Sequence, residues 1–260
     1  MSGPLADRLS LAGRAALVTG ASGTLGAHFA ETLAAAGASV VLAARRTEAM
    51  RTVAERIRSA GGEARVVPLD VTDPASVVAA FDDAEGALGR PLDVIVNNSG
   101  IASPGAALEQ SEQDWAGLLE VNLGGARRVA VEAARRLVAA ERPGSIVNIA
   151  SILGLRQGAG VTAYATSKAA LVQLTKQLAL EWARHGIRVN ALAPGYVETE
   201  LNRDFFASEA GRAMVRRIPQ RRLGEPDDLD GPLLLLAADA GAYITGAVLT
   251  VDGGHLLSPL

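Results

Sequence analysis

Tyr164 and Lys168 are two side chains that could work together in proton transfer. They stand four residues apart in a stretch with a helical pattern, and residues at this spacing project from one face of a helix. A nearby cation favours the phenolate, so we expect Lys168 to lower the pKa of Tyr164 from its usual value of about 10. Such a tyrosine can donate a proton to a carbonyl oxygen or accept one in the reverse reaction. The same spacing also occurs by chance in helices without a catalytic role.

Two further polar residues could complete such a site. Ser151 comes just after an apolar, β-branched run at 145–149, and α/β proteins bind ligands at the carboxyl ends of such strands. Asn122 lies within a predicted helix over 111–140, which begins at a capping box formed by Ser111 and Asp114.

The segment 19–26 joins the first predicted strand to an alanine-rich helix, and it contains three glycines. Glycine permits a tight turn and lets backbone N–H groups at the positive end of a helix approach a pyrophosphate. The segment therefore predicts a dinucleotide site. A P-loop is excluded because the turn has no Gly-Lys-Ser/Thr sequence, and an ordinary glycine-rich turn is the alternative.

The end of the second predicted strand bears on the choice of cofactor. NAD sites usually place an acidic residue there for the ribose 2′-hydroxyl, whereas an arginine suits the 2′-phosphate of NADP. This chain has Ala44 followed by Arg45 and Arg46. We predict NADP(H) over NAD(H), with Arg45 on the phosphate and Arg46 over the adenine; a solvated arginine pair is the alternative.

The candidate residues need a scaffold that brings distant parts of the chain together. Short, almost continuously apolar runs alternate with helical patterns, which is typical of parallel strands covered by helices on both faces. We expect one α/β domain over residues 1–260, a doubly wound, Rossmann-type fold with a parallel sheet of about seven strands. The predicted strands cover residues 15–19, 39–42, 65–69, 94–96, 145–149, 188–192 and 248–251.

Composition excludes several other classes of protein. The 260-residue chain has 49% hydrophobic and 20% charged residues, which is typical of a globular protein. It has no cysteine and three scattered histidines (His28, His185 and His255), so disulfides and a zinc site are not expected. A net charge of −3 favours no nucleic-acid partner. Without a signal peptide or an apolar run of about 18–20 residues, a cytoplasmic protein with no membrane partner is expected.

The order and spacing of these features resemble the classical short-chain dehydrogenases/reductases, in particular members similar to 3-oxoacyl-(acyl-carrier-protein) reductase. The resemblance covers nearly the whole chain. It rests on the turn at 19–26, residues 69–71, residues 97–100, Asn122, Ser151, Tyr164, Lys168 and residues 194–195.

The resemblance implies a role for each candidate catalytic residue. Tyr164 would be the proton donor and acceptor, and Ser151 would orient the substrate carbonyl. Lys168 would bind the nicotinamide ribose and lower the pKa of the tyrosine. Asn122 would hold a water molecule that connects Lys168 to solvent.

The resemblance also implies the cofactor contacts and the assembly. Asp70 would contact the adenine amine, Asn98 would brace the central sheet, and the turn after residue 194 would meet the nicotinamide carboxamide. Relatives commonly form tetramers, so a homotetramer is expected. The predicted cofactor-binding residues are Gly20, Ser22, Gly23, Thr24, Leu25, Gly26, Arg45, Arg46, Asp70, Val71, Asn98, Gly100, Tyr164, Lys168, Pro194, Gly195, Val197 and Thr199.

The chain departs from the family pattern at Thr24, where the turn normally has glycine or alanine, and the glycine stands one place earlier at Gly23. A β-branched side chain there bears on how closely the backbone meets the pyrophosphate. Residues 200–223 resemble the mobile substrate lid of the family. Arg156 and Gln157, five and six places after Ser151, could recognise a polar or anionic substrate, with a solvated loop residue as the alternative for Arg156. None of the three histidines has a spacing that suggests catalysis.

Together these features predict an NADPH-dependent oxidoreductase that reversibly reduces a ketone or 3-oxoacyl carbonyl of a small molecule to a secondary alcohol. Three alternatives remain. One is an NAD-dependent sugar or polyol dehydrogenase of the same family, and another is a non-catalytic dinucleotide-binding regulator, since fold does not fix function. The third is a nucleotide-sugar epimerase or dehydratase, which normally needs an added substrate domain.

Overall fold

The computed structural model describes residues 4–199 and 202–258. Within them lies a parallel sheet of seven strands in the order β3-β2-β1-β4-β5-β6-β7. This doubly wound topology confirms the predicted fold class. The strands are β1 (Ala15–Thr19), β2 (Ser39–Ala44), β3 (Glu63–Pro68), β4 (Val94–Asn97), β5 (Gly144–Ile149), β6 (Ile187–Pro194) and β7 (Val248–Val251).

Helices cover both faces of the sheet. They are α1 (Pro4–Leu9), α2 (Thr24–Ala35), α3 (Thr47–Ser59), α4 (Pro74–Leu88), α5 (Glu112–Leu119), α6 (Ala126–Ala139), α7 (Thr162–Trp182), α8 (Arg203–Ala207), α9 (Glu209–Val215) and α10 (Asp230–Ala237). None of the helices in the described ranges is both long and apolar enough to cross a membrane.

The hydrophobic core has two halves, one on each face of the sheet. Helices α2, α3 and α10 pack on one face, and α4, α6 and α7 pack on the other. The central strands β1, β2, β4 and β5 are buried along their whole length. This explains their continuous apolar runs, because a strand covered on both faces has no solvent side for polar residues.

Local capping signals confirm several predicted helix starts. The Asp73 carboxylate accepts a hydrogen bond from the Ala75 N–H at the start of α4 (2.9 Å). The Ser111 hydroxyl accepts one from the Asp114 N–H at the start of α5 (3.1 Å). Both contacts satisfy N–H groups that have no partner inside their helix.

The predicted helix over 111–140 is wrong in one respect. Residues Glu120–Gly125 form a π-helical turn between α5 and α6. At its end Gly125 packs so closely on Val71 that a Cβ atom would lie 2.5 Å from the valine side chain. Such turns inside helices are frequent at functional sites, and this one contains Asn122.

Candidate active site

The predicted site residues converge at the carboxyl edge of the sheet. The turn at 20–23 follows β1, residues 98–100 follow β4, Ser151 follows β5 and Gly195 follows β6. Because all the strands are parallel, their carboxyl ends share one edge, and loops far apart in sequence meet there. Helix α7 brings Tyr164 and Lys168 to the same edge.

Ser151 is held by its own short turn. Its hydroxyl accepts a hydrogen bond from the Leu153 N–H (3.1 Å) at the start of the 3₁₀ turn Ile152–Gly154. Gly154 lets this turn lie directly on α7, since a Cβ there would be 2.7 Å from the carbonyl carbon of Lys168. The turn thus holds the Ser151 hydroxyl beside Tyr164, which is on α7.

The surroundings of Tyr164 differ from one expectation drawn from the spacing, namely that its pKa is lowered. Its pKa is raised above 10.0, because burial of the phenol outweighs the lowering effect of a hydrogen bond with Ser151; the nearby Tyr196 raises it further. A raised pKa keeps the phenol protonated at neutral pH, which is the form needed to donate a proton.

Lys168 is buried and its ammonium has a specific partner. Its Nζ donates a hydrogen bond to the backbone carbonyl of Ile149 (2.8 Å) and lies 5.6 Å from the centre of the Tyr164 ring. Burial lowers the pKa of Lys168 to about 8. The side chain therefore carries its charge at neutral pH and loses it in mildly alkaline solution.

Asn122 joins the loop after β4 to α7. It is fully buried, its Nδ2 donates to the Ile101 carbonyl (2.9 Å) and to the Ser167 hydroxyl (3.0 Å), and its Oδ1 accepts from the Ile101 N–H (2.8 Å). Gly100 approaches both Asn122 and Lys168, since a Cβ there would lie 3.3 Å from Asn122 Oδ1 and 3.5 Å from Lys168 Nζ. The water relay predicted for Asn122 stays a prediction.

The turn after β1 fits a pyrophosphate. Gly20 has a φ of +67°, and a Cβ on Gly26 would lie 2.3 Å from the Gly20 carbonyl oxygen, so neither position accepts a side chain without strain. Asn98 Nδ2 braces the turn by donating to the Thr19 carbonyl (3.1 Å). Helix α2 begins at Thr24 without a side-chain cap, which leaves the first backbone N–H groups available for an anion.

The end of β2 fits a 2′-phosphate. Arg45 and Arg46 are exposed, and neither forms an ion pair among the described residues. The positive charge of Arg45 also helps to lower the pKa of Asp70, although hydrogen bonds from Thr72 are the larger cause. Two unpaired guanidinium groups next to Ala44 suit a dianionic phosphate better than a ribose hydroxyl.

The segment that follows β6 leads from the sheet to the predicted lid. A Cβ on Gly195 would lie 2.8 Å from the Asp252 Cα, so the chain after Pro194 passes so close to the residue after β7 that a side chain does not fit. Val197 is buried, and the Thr199 N–H donates to Asn202 Oδ1 (2.9 Å). Of the predicted lid, residues 200 and 201 lie outside the described residues, and the rest contains α8 and α9.

Sequence reasoning missed two residues near the Tyr164 phenol. Tyr196 follows β6, and its hydroxyl lies near enough to Tyr164 to affect the pKa of that group. His255 reaches the same place from the C-terminal segment, with its ring centre 5.4 Å from that of Tyr196. The available signal was the pair Gly253 and Gly254 after the last strand, since two adjacent glycines permit a sharp reversal of the chain.

This arrangement can polarise and protonate a carbonyl group. Ser151 and Tyr164 present two hydroxyl donors at one point, with the buried cation of Lys168 behind them. A carbonyl oxygen that accepts from both hydroxyls becomes a better acceptor for hydride at its carbon, because the developing negative charge is stabilised.

Comparisons with known proteins agree with this geometry. The family model described as enoyl-(acyl carrier protein) reductase matches residues 20–255. The cis-4-hydroxycyclohexanecarboxylate dehydrogenase of Sinomonas cyclohexanicum is 40% identical over 95% of this chain and 98% of that protein. The 3-oxoacyl-(acyl-carrier-protein) reductase FabG of Escherichia coli (strain K12) is 34% identical over 95% of this chain and 98% of that protein.

A solved structure extends the likeness to three dimensions. The gluconate 5-dehydrogenase of Burkholderia cenocepacia J2315, in complex with NADP and tartrate, superposes with a TM-score of 0.93 at 38% identity. The match covers 98% of this chain and 100% of that one.

Proposed function

Because this chain belongs to the short-chain dehydrogenase/reductase family and is an NAD(P)-dependent oxidoreductase, we propose that it uses NADP(H) to reduce a ketone carbonyl reversibly to a secondary alcohol. The observation that carries the proposal is a Ser151 hydroxyl close enough to Tyr164 to act on its pKa, together with the buried Lys168, whose Nζ lies 5.6 Å from the centre of the Tyr164 ring. A protein that only bound a dinucleotide would have no chemical use for this set.

Each residue has a defined part in the proposed reaction. The Ser151 hydroxyl donates to the carbonyl oxygen and orients it, and Tyr164 gives its proton to the same oxygen as the alcohol forms. Bound NADPH supplies the hydride. Lys168 donates to the nicotinamide ribose hydroxyls. Asn122 holds the loop after β4 against α7 through its hydrogen bonds to Ile101 and Ser167. In the reverse direction Tyr164 takes the proton of the alcohol.

The choice of NADP(H) is supported by Arg45 and Arg46 at the end of β2, where no acidic residue stands. The gluconate 5-dehydrogenase relative also binds NADP. We propose that Arg45 makes a charge-assisted hydrogen bond with the 2′-phosphate, and that Arg46 stacks on the adenine. The first turn of α2, from Thr24 to Gly26, receives the pyrophosphate.

The substrate is proposed to be a small oxo compound. The names of the relatives indicate which substrate classes to test. Their names point to hydroxy acids in two cases and to a 3-oxoacyl thioester in the third. A homotetramer is the proposed assembly, as the family resemblance implies.

The test is the loss of absorbance of the reduced nicotinamide, followed with NADPH and NADH in parallel. The panel contains 5-ketogluconate, 4-oxocyclohexanecarboxylate, acetoacetyl-N-acetylcysteamine and an aryl ketone. We expect NADPH-dependent turnover of at least one of these groups and slower turnover with NADH. NADPH binding without turnover of any probe contradicts the proposed reaction and favours a regulator.

A further inference from the structure

His255 is buried beside Tyr196 and lacks a partner for one ring nitrogen. The side chain is 6% exposed, and its Nδ1 is shut off from solvent without a hydrogen bond among the described residues. Most buried polar atoms are hydrogen-bonded, so each exception needs an explanation. A bound ligand with a hydrogen-bonding group next to this ring would explain the unpaired nitrogen.

A turn of two glycines with positive φ angles leads to His255. Gly253 and Gly254 have φ angles of +60° and +83°, and a Cβ on either would lie 3.0–3.2 Å from Ile218 or Pro219 of the lid segment. The turn therefore places the segment that carries His255 against the predicted lid. A side chain at either glycine would be strained in conformation and crowded by its neighbours.

Arg156 adds a positive charge that no carboxylate of the described residues neutralises. Its Nη1 donates to the His255 backbone carbonyl (2.5 Å), and it forms no ion pair there. Asp252 is a nearby negative charge that acts on His255, but it forms no ion pair with Arg156 among the described residues; its two carboxylate oxygens accept from the Gly254 and Leu256 N–H groups (2.9 and 2.8 Å). The remaining guanidinium N–H groups of Arg156 are available to a ligand.

Tyr196 connects this cluster with the reacting centre. Its ring contacts the His255 ring on one side and the Phe206 ring on another, with centres 5.4 and 5.6 Å apart. Its hydroxyl is close enough to interact with Tyr164 as well as with the charge of Arg156. A substrate whose carbonyl lies at Tyr164 would thus extend past Tyr196 towards Arg156.

We propose that Arg156, Tyr196 and His255 form an anion subsite that binds a carboxylate on the substrate a few bonds away from the reacting carbonyl. The proposal rests on the proposed function and adds the substrate class, an oxo acid and its hydroxy acid. The planar guanidinium presents parallel N–H donors that match a carboxylate, and the imidazole and the phenol add neutral donors. Neutral ketones and neutral thioesters bind more weakly.

The first experiment measures binding, so that it does not depend on turnover. The NADP⁺-bound enzyme is titrated with 4-oxocyclohexanecarboxylate or with its methyl ester, and the melting temperature and the dissociation constant are recorded. The variants are Arg156→Gln, Arg156→Lys and His255→Gln. The control is Arg51→Gln, which removes the same charge from an exposed side chain on α3.

We expect the acid to stabilise the wild type and Arg51→Gln, and the ester to have little effect. Arg156→Gln should weaken binding of the acid about ten- to hundredfold, as expected for one charge-assisted hydrogen bond. Arg156→Lys should restore part of the affinity, and His255→Gln should show a smaller loss. NADP⁺ affinity should be the same in all variants, since none of these residues is assigned to the cofactor.

Two results would overturn the subsite. One is equal binding of the acid and the ester by the wild type, and the other is equal binding of the acid by the wild type and Arg156→Gln. Turnover is measured separately with the methyl ester and NADPH. Reduction of the ester without any preference for the acid refutes the subsite alone, whereas selective binding of the acid without reduction refutes the proposed function alone.

Discussion

The Tyr164 phenol owes its protonation to burial. Because burial raises its pKa, Tyr164 carries a proton at neutral pH and is ready to act as an acid in the reductive direction. To oxidise an alcohol, Tyr164 must act as a base, and it can do so only as the phenolate. The structure thus suits carbonyl reduction at neutral pH, with oxidation increasing as the pH rises.

Replacing Tyr164 with phenylalanine tests this role. Tyr164→Phe keeps the ring but removes the proton donor, so we expect kcat to fall by about 10²–10⁴-fold, the usual contribution of general acid catalysis. NADPH affinity, measured by fluorescence titration, should change little. Exposed Tyr243→Phe removes a hydroxyl elsewhere and serves as the matched control. Near-normal turnover in Tyr164→Phe would refute the assignment.

Lys168 predicts a pH dependence of cofactor binding. Its pKa of about 8 means that the ammonium is charged below that pH and neutral above it. The attraction for the anionic cofactor and the hydrogen bonds to its ribose are therefore present below pH 8 and weaken as the pH rises through 8. Bound NADPH favours the charged form, so the transition moves to higher pH in the complex.

The measurement is the dissociation constant of NADPH between pH 7 and 9.5. Tyr164 does not interfere, because its pKa lies above 10.0, and arginine stays charged throughout. We expect several-fold weaker binding at the alkaline end for the wild type and a flat profile for Lys168→Met. A profile with the same slope in both proteins would show that another group titrates.

At the scale of the secondary-structure elements, we propose that the carboxyl end of β2 selects the cofactor. Replacing Ala44 with aspartate and Arg45 with serine places a carboxylate where the 2′-phosphate would bind and removes its counter-ion. We expect the ratio of kcat/KM for NADPH over NADH to fall about a hundredfold, since two charged contacts change. Arg46→Ser alone is the comparison and should change the ratio less. An unchanged ratio in the double variant would contradict the 2′-phosphate assignment.

The first turn of α2 depends on a close approach between two glycines. In Gly26→Ala the new Cβ would lie 2.3 Å from the Gly20 carbonyl oxygen and 2.7 Å from Asn98 Nδ2. The turn must shift, which should weaken NADPH binding at least tenfold and lower the free energy of unfolding by about 1–3 kcal/mol. Calorimetry and fluorescence titration measure the two effects.

Gly86→Ala is the matched control for this substitution. Gly86 lies within α4, and nothing stands within 4 Å of a Cβ at that position. Alanine is the better helix former, so a gain of up to about 1 kcal/mol in stability is expected, with cofactor binding unchanged. If both variants bound NADPH equally well, the close contact at Gly26 would not matter for the cofactor.

At the scale of the whole molecule, the predicted homotetramer needs an apolar surface that other subunits can cover. On α6 and α7 the side chains of Val138 and Leu180 are exposed, Leu180 to 77%. Leu180→Glu would place a charge in an interface there, and a buried unpaired charge is costly. Light scattering should then detect smaller assemblies, whereas Leu5→Glu on α1 should leave the tetramer intact. A monomeric wild type would refute the prediction.

The sequence by itself determined the fold class, and it predicted the residues of the proposed catalytic set. All seven predicted strands are present in the structure, with β1 and β7 at the predicted bounds and the others shifted or extended by a few residues. This succeeded because periodicity, capping residues and glycine turns are local signals that neighbouring residues carry. The order of Ser151, Tyr164 and Lys168 could be compared with a family pattern for the same reason.

The tertiary structure alone decided three features. It raised the pKa of Tyr164, which a helical spacing had suggested would be lowered, because burial depends on everything packed around the phenol. It broke a predicted helix with the π-helical turn that contains Asn122. It also brought Tyr196 and His255 to the site from β6 and the C-terminal segment. Such contacts join residues far apart in the chain, so no local sequence pattern predicts them.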